Sequence, residues 1–368
     1  MRYYIIAGEA SGDLHGSNLI TAILRKDQQA DLRCWGGDRM QAAGATLVKH
    51  YRDLAFMGFV EVVANLRTIL GNIKFCKKDI LQYKPDVLVL IDYPGFNLRI
   101  AEWAKKENIK VVFYIAPQVW AWKEGRVPKM KHCIDKMLVI LPFEKAYFKN
   151  KWDWDVDYVG HPLLEEIAKS ESQPKQAISS KPIIGLLPGS RKQEVAKKLP
   201  IMLRMAAVFP DYQFVIGQAP GLDADFYQPF MAAYPNVQLL QHRTYDIMQQ
   251  AKALLVTSGT ATLETALFTA PEIVCYKGSK ISYEIAKRLI KVRFISLVNL
   301  IMDREVVKEL IQDALNVPNI TAQLKLLLED KNTQEQLQKD YKELHYKLYA
   351  GGSASEKAAD IVYRLAQG

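Results

Sequence analysis

The sequence predicts an α/β protein with two doubly wound parallel sheets in tandem. Short, nearly continuous apolar runs alternate with amphipathic stretches along the 368 residues, as in parallel strands that helices cover on both faces. A polar stretch with two prolines, 168–182, divides the chain into halves of similar length and is predicted as a linker. Each half opens with a strand, a glycine-containing loop and a helix, so each half is expected to form its own Rossmann-like domain.

The predicted strands are short runs rich in aliphatic residues, whereas the predicted helices show amphipathic spacing. In the first half, strands are predicted at 3–7, 87–91, 110–115, 136–140 and 157–159, and helices at 14–25, 98–107 and 143–149. In the second half, strands are predicted at 183–187, 214–217, 237–240 and 253–257, and helices at 194–209 and 262–268. The end of the chain, 333–367, is charged and helical, and two glycines break it before a last helix at 355–367.

The predicted organisation is an N-terminal domain at 1–167, the linker 168–182, a C-terminal domain at 183–345 and a helical segment at 346–368. A cleft between the two domains is expected, because open parallel sheets bind ligands beyond the carboxyl ends of their strands. The sequence leaves open whether the last helix completes its own domain, packs back on the first domain or exchanges between the subunits of a homo-oligomer.

The composition points to a cytoplasmic protein with anionic partners. Lys and Arg number 49 and Asp and Glu 40, a formal charge of +9, which favours phosphorylated molecules, nucleic acid or an anionic membrane surface. Four scattered cysteines form no CxxC pair and fit a reducing compartment. The first apolar run is stopped by Glu9 and Asp13, so it is too short for a secretory signal. No apolar stretch is long enough to span a bilayer.

The loop after the predicted strand 183–187 is typical of an anion site. Gly189 allows a ligand to approach the backbone, the amides of Ser190 and Arg191 open the next helix, and the Arg191 guanidinium suits a phosphate. An ordinary strand-to-helix turn with a surface arginine explains the same residues about equally well.

A second loop of this kind follows the predicted strand 253–257. Ser258, Gly259 and Thr260 place small residues and hydroxyls at a helix start, and Glu264 lies in the first turns of that helix. A carboxylate there can accept hydrogen bonds from a sugar diol, although an acid that favours the helix dipole is the simpler explanation. Together the two loops predict a nucleotide diphosphate site, and neither has the Walker A or GxGxxG pattern.

The first half offers a polar substrate site and a candidate general base. Glu9, Ser11, Gly12 and Asp13 follow the first predicted strand, where they can hold a sugar-like substrate or simply cap a helix. Asp92 comes directly after the strand 87–91, at its carboxyl end. A carboxylate in that place can remove a proton from a substrate hydroxyl, and capping of the following helix is the alternative.

Two further features could be taken for functional sites: an acidic stretch that resembles a metal site, and a histidine that could be catalytic. The acids of WDWDVD, 152–157, alternate with buried-type residues, which favours a solvated edge strand over a metal site. His161 is the one histidine expected near the cleft, and a buried structural hydrogen bond is at least as good an explanation as catalysis. No metal and no other cofactor are therefore expected.

The segment 56–78 is predicted as a helix with an unusually broad apolar surface edged by lysines. This pattern is typical of a helix that lies on an anionic membrane, although most amphipathic helices face a protein core. The candidate membrane residues are Val60, Val63, Leu66, Ile69 and Leu70.

Sequence motifs over nearly the whole chain resemble the lipid A disaccharide synthase family. They are AGEASGD (7–13), GGDRMQAAG (36–44), MGFVEV (57–62), KPDVLVLID (84–92), PQVWAW (117–122), LPFEK (141–145), VGHPL (159–163), LLPGSR (186–191), SGTATLE (258–264) and SLVNLIMDREVVKELIQ (296–312).

The resemblance implies a two-domain glycosyltransferase fold of the GT-B type. It implies inverting, metal-independent transfer of 2,3-diacylglucosamine from UDP to the 6-hydroxyl of 2,3-diacylglucosamine 1-phosphate, giving UDP and a β-1,6-linked disaccharide 1-phosphate. Asp92 is then the expected base, Arg191 is expected to hold the diphosphate, and Glu264, Asn299 and Glu305 are expected on the nucleotide side. Because the substrates carry acyl chains, peripheral association with the cytoplasmic face of the inner membrane is also expected.

Two other functions compete with this interpretation. A UDP-N-acetylglucosamine 2-epimerase of the same architecture would share both anion loops but would need no acceptor. A basic nucleic-acid-binding protein would explain the charge, but Lys and Arg are spread along the chain and no recognised reader motif occurs, so no nucleic-acid partner is expected.

Overall fold

A computed structural model describes residues 1–53, 66–279, 283 and 292–368. The chain divides into two compact units, the first comprising Met1–Pro162 together with Leu348–Gly368, and the second comprising Leu163–Lys347. Each unit is built on one parallel sheet. The first unit is therefore assembled from both ends of the chain, whereas the second is a single continuous segment.

The first unit contains a seven-stranded sheet in the order β3-β2-β1-β4-β5-β6-β7. The side chains of β1 and β4 are almost wholly buried, as expected for central strands covered on both faces. The strand order reverses between β1 and β4, so the loops that follow them diverge there and leave room for a ligand. The strands are β1 (Arg2–Ala7), β2 (Asp31–Gly36), β3 (Thr46–His50), β4 (Val87–Ile91), β5 (Val111–Tyr114), β6 (Lys136–Val139) and β7 (Asp157–Tyr158).

Within the described residues, six α-helices of the first unit precede Leu163, where the second unit begins. Their apolar faces and the two faces of the sheet form two hydrophobic clusters, one around Trp35 and Phe113 and the other around Tyr3 and Ile23. The helices are α1 (Ala10–Lys26), α2 (Asp38–Ala42), α3 (Leu66–Tyr83), α4 (Pro94–Lys106), α5 (Val127–Cys133) and α6 (Pro142–Trp152).

The second unit contains a six-stranded parallel sheet in the order β10-β9-β8-β11-β12-β13, which reverses between β8 and β11. Its strands are β8 (Ile183–Leu187), β9 (Gln213–Gly217), β10 (Val237–Leu240), β11 (Ala251–Thr257), β12 (Glu272–Tyr276) and β13 (Lys308–Ile311). Its helices are α7 (Leu163–Glu171), α8 (Lys192–Leu203), α9 (Met205–Val208), α10 (Gln228–Met231), α11 (Thr244–Gln250), α12 (Thr260–Leu267), α13 (Leu297–Met302), α14 (Val317–Glu329) and α15 (Lys331–Leu348).

The last helix, α16 (Ala354–Gln367), packs against α1 in the first unit. Ala358, Ala359 and Val362 lie wholly within the core on that side of the sheet. Two ion pairs flank the packed faces, Arg25 with Glu356 at 3.0 Å and Lys26 with Asp360 at 2.5 Å. The returning chain is also held at Leu348, whose carbonyl accepts hydrogen bonds from the Tyr158 hydroxyl and the His161 amide.

Several predicted boundaries differ from the structure. The predicted linker 168–182 begins inside α7, and the predicted C-terminal segment 346–368 begins inside α15. The predicted helix 194–209 is two helices, α8 and α9. The predicted edge strand 152–157 is wrong over most of its length, because α6 runs to Trp152 and β7 starts at Asp157.

Candidate functional site

The loops after β8 and β11 converge on one cavity of about 350 Å³ in the second unit. Both loops leave the carboxyl ends of strands on either side of the point where the strand order reverses, which is where this topology binds ligands. The nucleotide-side residues that line the cavity are Gly189, Ser190, Ser258, Gly259, Thr260 and Glu264.

Two glycines bring the backbone close to this cavity. Gly189 has a φ of +124°, and a Cβ there would stand 2.6 Å from Glu194 Oε2, so no larger residue fits without movement. Gly259 has a φ of +147° and precedes the first turn of α12. The starts of α8 and α12 thus leave backbone amides free for an anion beside open loops.

Glu264 supplies a carboxylate to the cavity wall. It accepts a hydrogen bond of 2.8 Å from the Tyr245 hydroxyl, which fixes one carboxylate oxygen. Burial raises the pKa of Glu264, and the hydrogen bond from Tyr245 acts in the opposite direction. The arrangement suits a carboxylate that accepts hydrogen bonds from a neutral diol.

Arg191 does not line the cavity in this structure. Its side chain is 72% exposed, and its Nη1 lies 3.8 Å from Glu194 Oε1. The cavity lining includes the two acids Glu194 and Glu264 and no Lys or Arg among the described residues. An anion bound here would therefore depend first on backbone amides, and the Arg191 assignment stays a prediction that requires the exposed side chain to reorient.

Thr257 and Gln218 are among the cavity residues that sequence reasoning missed. The Thr257 hydroxyl is buried, lines the cavity and finds no hydrogen-bond partner within the described part of the chain. Gln218 follows β9 and also lines the cavity, with its amide nitrogen 2.7 Å from the Leu222 carbonyl oxygen. Thr257 was predicted only as the last residue of the strand 253–257, and its place directly before the loop was the available signal.

Asn299 and Glu305 do not join the other predicted nucleotide-side residues. Asn299 is fully buried, and its Oδ1 accepts hydrogen bonds from the amides of Val306 and Val307. Its Nδ2 donates to the Val307 carbonyl and to Glu309, so the side chain holds a loop together. Glu305 pairs with Lys308 at 3.1 Å and lines a different cavity.

Asp92 lies in the first unit, immediately after β4, with a φ of +44°. Its backbone amide donates to the Tyr114 carbonyl at 3.0 Å, and its carbonyl accepts from Asn97 Nδ2 at 2.8 Å. Burial, and then the nearby charge of Glu9, raise the pKa of the Asp92 carboxyl to about 6, while a hydrogen bond from the Tyr93 backbone opposes the rise. The carboxyl is therefore a stronger base than an ordinary aspartate and is still ionised at neutral pH.

The residues predicted for the acceptor side separate into two pairs. Glu9 and Ser11 are exposed at the start of α1. Gly12 and Asp13 are buried, and Asp13 accepts hydrogen bonds from the amides of Gly37, Arg39 and Met40. Asp13 therefore caps α2 in this structure, and its predicted substrate role stays a prediction. Gly12 lets α1 pack closely on Ala7.

His161 is buried beside the returning chain. Burial, and then the proximity of His15, lower the pKa of His161 to about 3, so its ring is neutral at physiological pH. Across the described residues, no group of three or more His, Cys, Asp or Glu side chains is arranged to hold a metal ion.

The predicted membrane segment is described in part. Val60 and Val63 lie outside the described residues, and α3 begins at Leu66. Ile69 packs partly against the core, whereas the Leu70 side chain is 53% exposed, and the membrane role of both residues stays a prediction. Lys74 and Lys78 are exposed on the same helix. Among the helices that the structure describes, none combines the length and the apolar character needed to cross a bilayer.

A family model described as lipid-A-disaccharide synthetase matches residues 3–362. The chain belongs to the lipid-A-disaccharide synthase family. The lipid-A-disaccharide synthase of Syntrophus aciditrophicus is 40% identical over 98% of this chain and 97% of that protein. The lipid-A-disaccharide synthase of Geobacter metallireducens is 38% identical over 99% of this chain and 97% of that protein. This lipid-A-disaccharide synthase family member is accordingly a glycosyltransferase whose family acts on UDP-sugar and lipid-linked sugar substrates.

Solved structures of low sequence identity share the fold of this lipid-A-disaccharide synthase family member. The kitacinnamycin glycotransferase matches with a TM-score of 0.67 at 15% identity, covering 99% of this chain and 98% of the other. The UDP-GlcNAc 2-epimerase of Neisseria meningitidis, bound to UDP-GlcNAc, matches with a TM-score of 0.66 at 14% identity, covering 99% of this chain and 100% of the other. These likenesses confirm the predicted GT-B type of fold with two parallel-sheet domains.

Proposed function

We propose that the chain transfers 2,3-diacylglucosamine from UDP to the 6-hydroxyl of 2,3-diacylglucosamine 1-phosphate. The products are UDP and the β-1,6-linked disaccharide 1-phosphate. The observation that carries this proposal is the family match over residues 3–362. The convergence of both predicted anion loops on one cavity supports it independently.

The second unit holds the nucleotide in this proposal. Amides at the starts of α8 and α12 receive the diphosphate, and Arg191 turns toward it from its exposed position. Glu264 accepts from the ribose hydroxyls, and the buried Thr257 hydroxyl gains a partner from the ligand. The same amides stabilise the negative charge that develops on UDP as it leaves.

The first unit supplies the general base. Asp92 takes the proton of the acceptor 6-hydroxyl as that oxygen attacks the anomeric carbon and the bond to UDP breaks. A raised pKa of about 6 supports the role, because a base works best when its pKa lies near the working pH. A single displacement of this kind inverts the anomeric centre.

We also propose peripheral association with the cytoplasmic face of the inner membrane. Exposed Leu70 with Lys74 and Lys78 on α3 offers an apolar contact beside cations, and the chain carries a formal charge of +9. Contact of this surface with the membrane would bring the protein to its acylated substrates.

The decisive experiment mixes UDP-2,3-diacylglucosamine with 2,3-diacylglucosamine 1-phosphate and detects a disaccharide by mass spectrometry. Asp92→Asn should lower kcat by about 10²- to 10⁴-fold, whereas Arg191→Gln should chiefly weaken UDP binding. Absence of disaccharide from the wild-type protein would reject the proposal. Conversion of UDP-N-acetylglucosamine without any acceptor would favour the epimerase alternative.

A further inference from the structure

A second, basic cavity lies in the first unit between α4 and α5. Its volume is about 250 Å³, below the roughly 300–1,000 Å³ of pockets that hold a whole small ligand. It therefore has the size of a subsite that receives one part of a larger molecule. The lining residues are Pro94, Gly95, Leu98, Arg99, Arg126, Lys129, Met130 and Cys133.

The charge of this cavity is positive and incompletely neutralised. Lys129 pairs with Glu102 at 2.6 Å on the neighbouring turn of α4. Neither the Arg99 nor the Arg126 guanidinium makes an ion pair or a side-chain hydrogen bond within the described residues, and Arg126 is half-buried. Arg99 is exposed, so the two residues line the cavity from its rim and its wall. Two guanidinium groups that line one cavity without a carboxylate partner are typical of a site for an anion such as phosphate.

The backbone adds to this preference. The cavity lies at the start of α4, a helix of 13 residues, whose first turn carries a partial positive charge. A Cβ on Gly95 would meet no atom within 4 Å, so the helix start is open at that point. The remaining lining residues are apolar and suit a sugar face or the beginning of an acyl chain.

The cavity is close to the candidate base. Pro94 lines it and is two residues from Asp92, so their Cα atoms are at most about 7.6 Å apart, twice the spacing across a trans peptide. In the proposed acceptor, the 6-hydroxyl and the 1-phosphate are separated by a single pyranose ring. If the acceptor hydroxyl reaches Asp92, the acceptor phosphate must extend past Pro94 toward Arg99 and Arg126 to bind there.

We infer that Arg99 and Arg126 form the subsite for the anomeric phosphate of the acceptor sugar. This inference rests on the proposed function and assigns a ligand to a cavity that the family motifs alone do not identify. The chemistry recognised is a phosphomonoester next to an apolar group, which an anionic phospholipid headgroup would also offer, so the test separates the two sources.

The test measures transfer to two acceptors, diacylglucosamine 1-phosphate and the same sugar with a free 1-hydroxyl, both dispersed in detergent. In the double variant Arg99→Gln, Arg126→Gln, KM for the phosphorylated acceptor should rise by about 10- to 100-fold, since charge-assisted hydrogen bonds are lost. We expect KM for the unphosphorylated acceptor, kcat and UDP affinity to stay within about twofold. Arg126→Lys in place of Arg126→Gln should restore part of the preference for the phosphorylated acceptor.

Lys106→Gln is the matched control, because Lys106 is an exposed cation near the other end of α4 and should leave both KM values unchanged. Equal effects of the double variant on both acceptors, or an unchanged preference for phosphate, would overturn the inference. So would a variant that loses binding to phosphatidylglycerol vesicles while KM for the dispersed acceptor is unaltered.

Failure of the proposed function is recognised separately. If the wild-type protein binds UDP but forms no disaccharide, the subsite is judged from calorimetric binding of the phosphorylated sugar alone. The double variant should weaken that binding by a similar factor. Absence of wild-type binding, or equal binding by wild type and variant, would reject the subsite.

Discussion

Asp92 combines a costly backbone conformation with a carboxyl of raised pKa. Asp92 and Tyr93 both have positive φ, +44° and +48°, and each such residue costs about 1–3 kcal/mol. The buried Asn97 amide offsets this by donating to the carbonyls of Ile91 and Asp92, and the Tyr93 ring lies directly over Gly8. The surroundings thus fix the carboxyl in one place, as a positioned base requires.

The pH dependence of transfer should report Asp92. Because only the ionised carboxylate accepts a proton, kcat/KM should rise tenfold per pH unit below about pH 6 and level off above it. Glu9→Gln removes a like charge that raises the pKa of Asp92, so the acid limb should move to lower pH. Profiles of kcat/KM against pH for the wild type and for Glu9→Gln measure this shift. An acid limb at the same pH in both proteins would reject coupling between the two carboxylates.

His161 should destabilise the protein in acid. Its pKa is about 3 in the folded state against 6.5 when unfolded, so below pH 6.5 the unfolded chain binds a proton that the folded chain does not. The contribution of neutral His161 to the free energy of unfolding is fully present above pH 6.5. It falls by about 1.4 kcal/mol per pH unit as the pH drops from 6.5 toward 3. Denaturant midpoints at several pH values should fall less steeply for His161→Gln, whereas His345→Gln, at an exposed position, should match the wild type.

Residue type and position alone did not separate ligand-facing groups from structural ones. Glu264 and Asp13 are both acids at a helix start after a buried strand, yet one lines a cavity and the other accepts three backbone amides. Asn299 illustrates the same difficulty, since its predicted nucleotide-side role stays a prediction while its amide is satisfied by a loop seven residues on. Which side a short polar side chain faces is decided by chain segments distant in sequence.

Helix α2 depends on a cap supplied by another helix. The buried Asp13 carboxylate accepts from Gly37 at 2.7 Å, Met40 at 3.0 Å and Arg39 at 3.2 Å. Asp13→Ala would leave these amides without their partner and should lower the free energy of unfolding by about 2–3 kcal/mol. Asp38→Ala, which removes a largely exposed acid from α2 itself, should change it by less than 0.5 kcal/mol or so. Denaturant titration distinguishes the two, and equal losses would refute the capping role.

Helix α3 should contribute to membrane binding through one face. Leu70, Lys74, Lys78 and Leu81 recur at spacings that place them together, and all four are exposed. Leu70→Ser with Lys74→Gln should reduce cosedimentation with phosphatidylglycerol vesicles about tenfold, because an apolar side chain that would enter the lipid and a cation near its surface are lost. Leu326→Ser, at a similarly exposed leucine of α14, is the control. If the Leu70→Ser, Lys74→Gln variant and the Leu326→Ser control bind vesicles equally, this face of α3 does not contribute to membrane binding.

Central elements were predicted more accurately than edge elements. The bounds of β4 and β8 were predicted without error, because central parallel strands are continuous apolar runs. The edge strand β3 was missed because none of its residues is fully buried and only two of the five are apolar. The strand β2 was missed because Asp31 and Arg33 interrupt its apolar residues. Tertiary pairing, rather than local composition, makes these segments strands.

On the scale of the whole molecule, the first unit is completed by the C-terminal helix. Removing residues 349–368 would expose the faces of α1 and β4 that Ala358, Ala359 and Val362 cover. The truncated protein should bind a hydrophobic dye and show a thermal transition lowered by several degrees. Glu356→Gln, which breaks an exposed ion pair, should have almost no effect on stability. Wild-type thermal stability of the truncated chain would contradict the packing of α16.

The two-part origin of the first unit has a consequence for biosynthesis. Met1–Pro162 emerges from the ribosome first, but the first unit lacks its last helix until Leu348–Gly368 emerges. At about 5–20 residues per second, the intervening chain takes roughly 10–40 s to make. During that interval the nascent α1 surface stays uncovered, while Leu163–Lys347 emerges as one piece and can fold before translation ends. Chaperone engagement of the growing polypeptide should therefore concentrate on its first half.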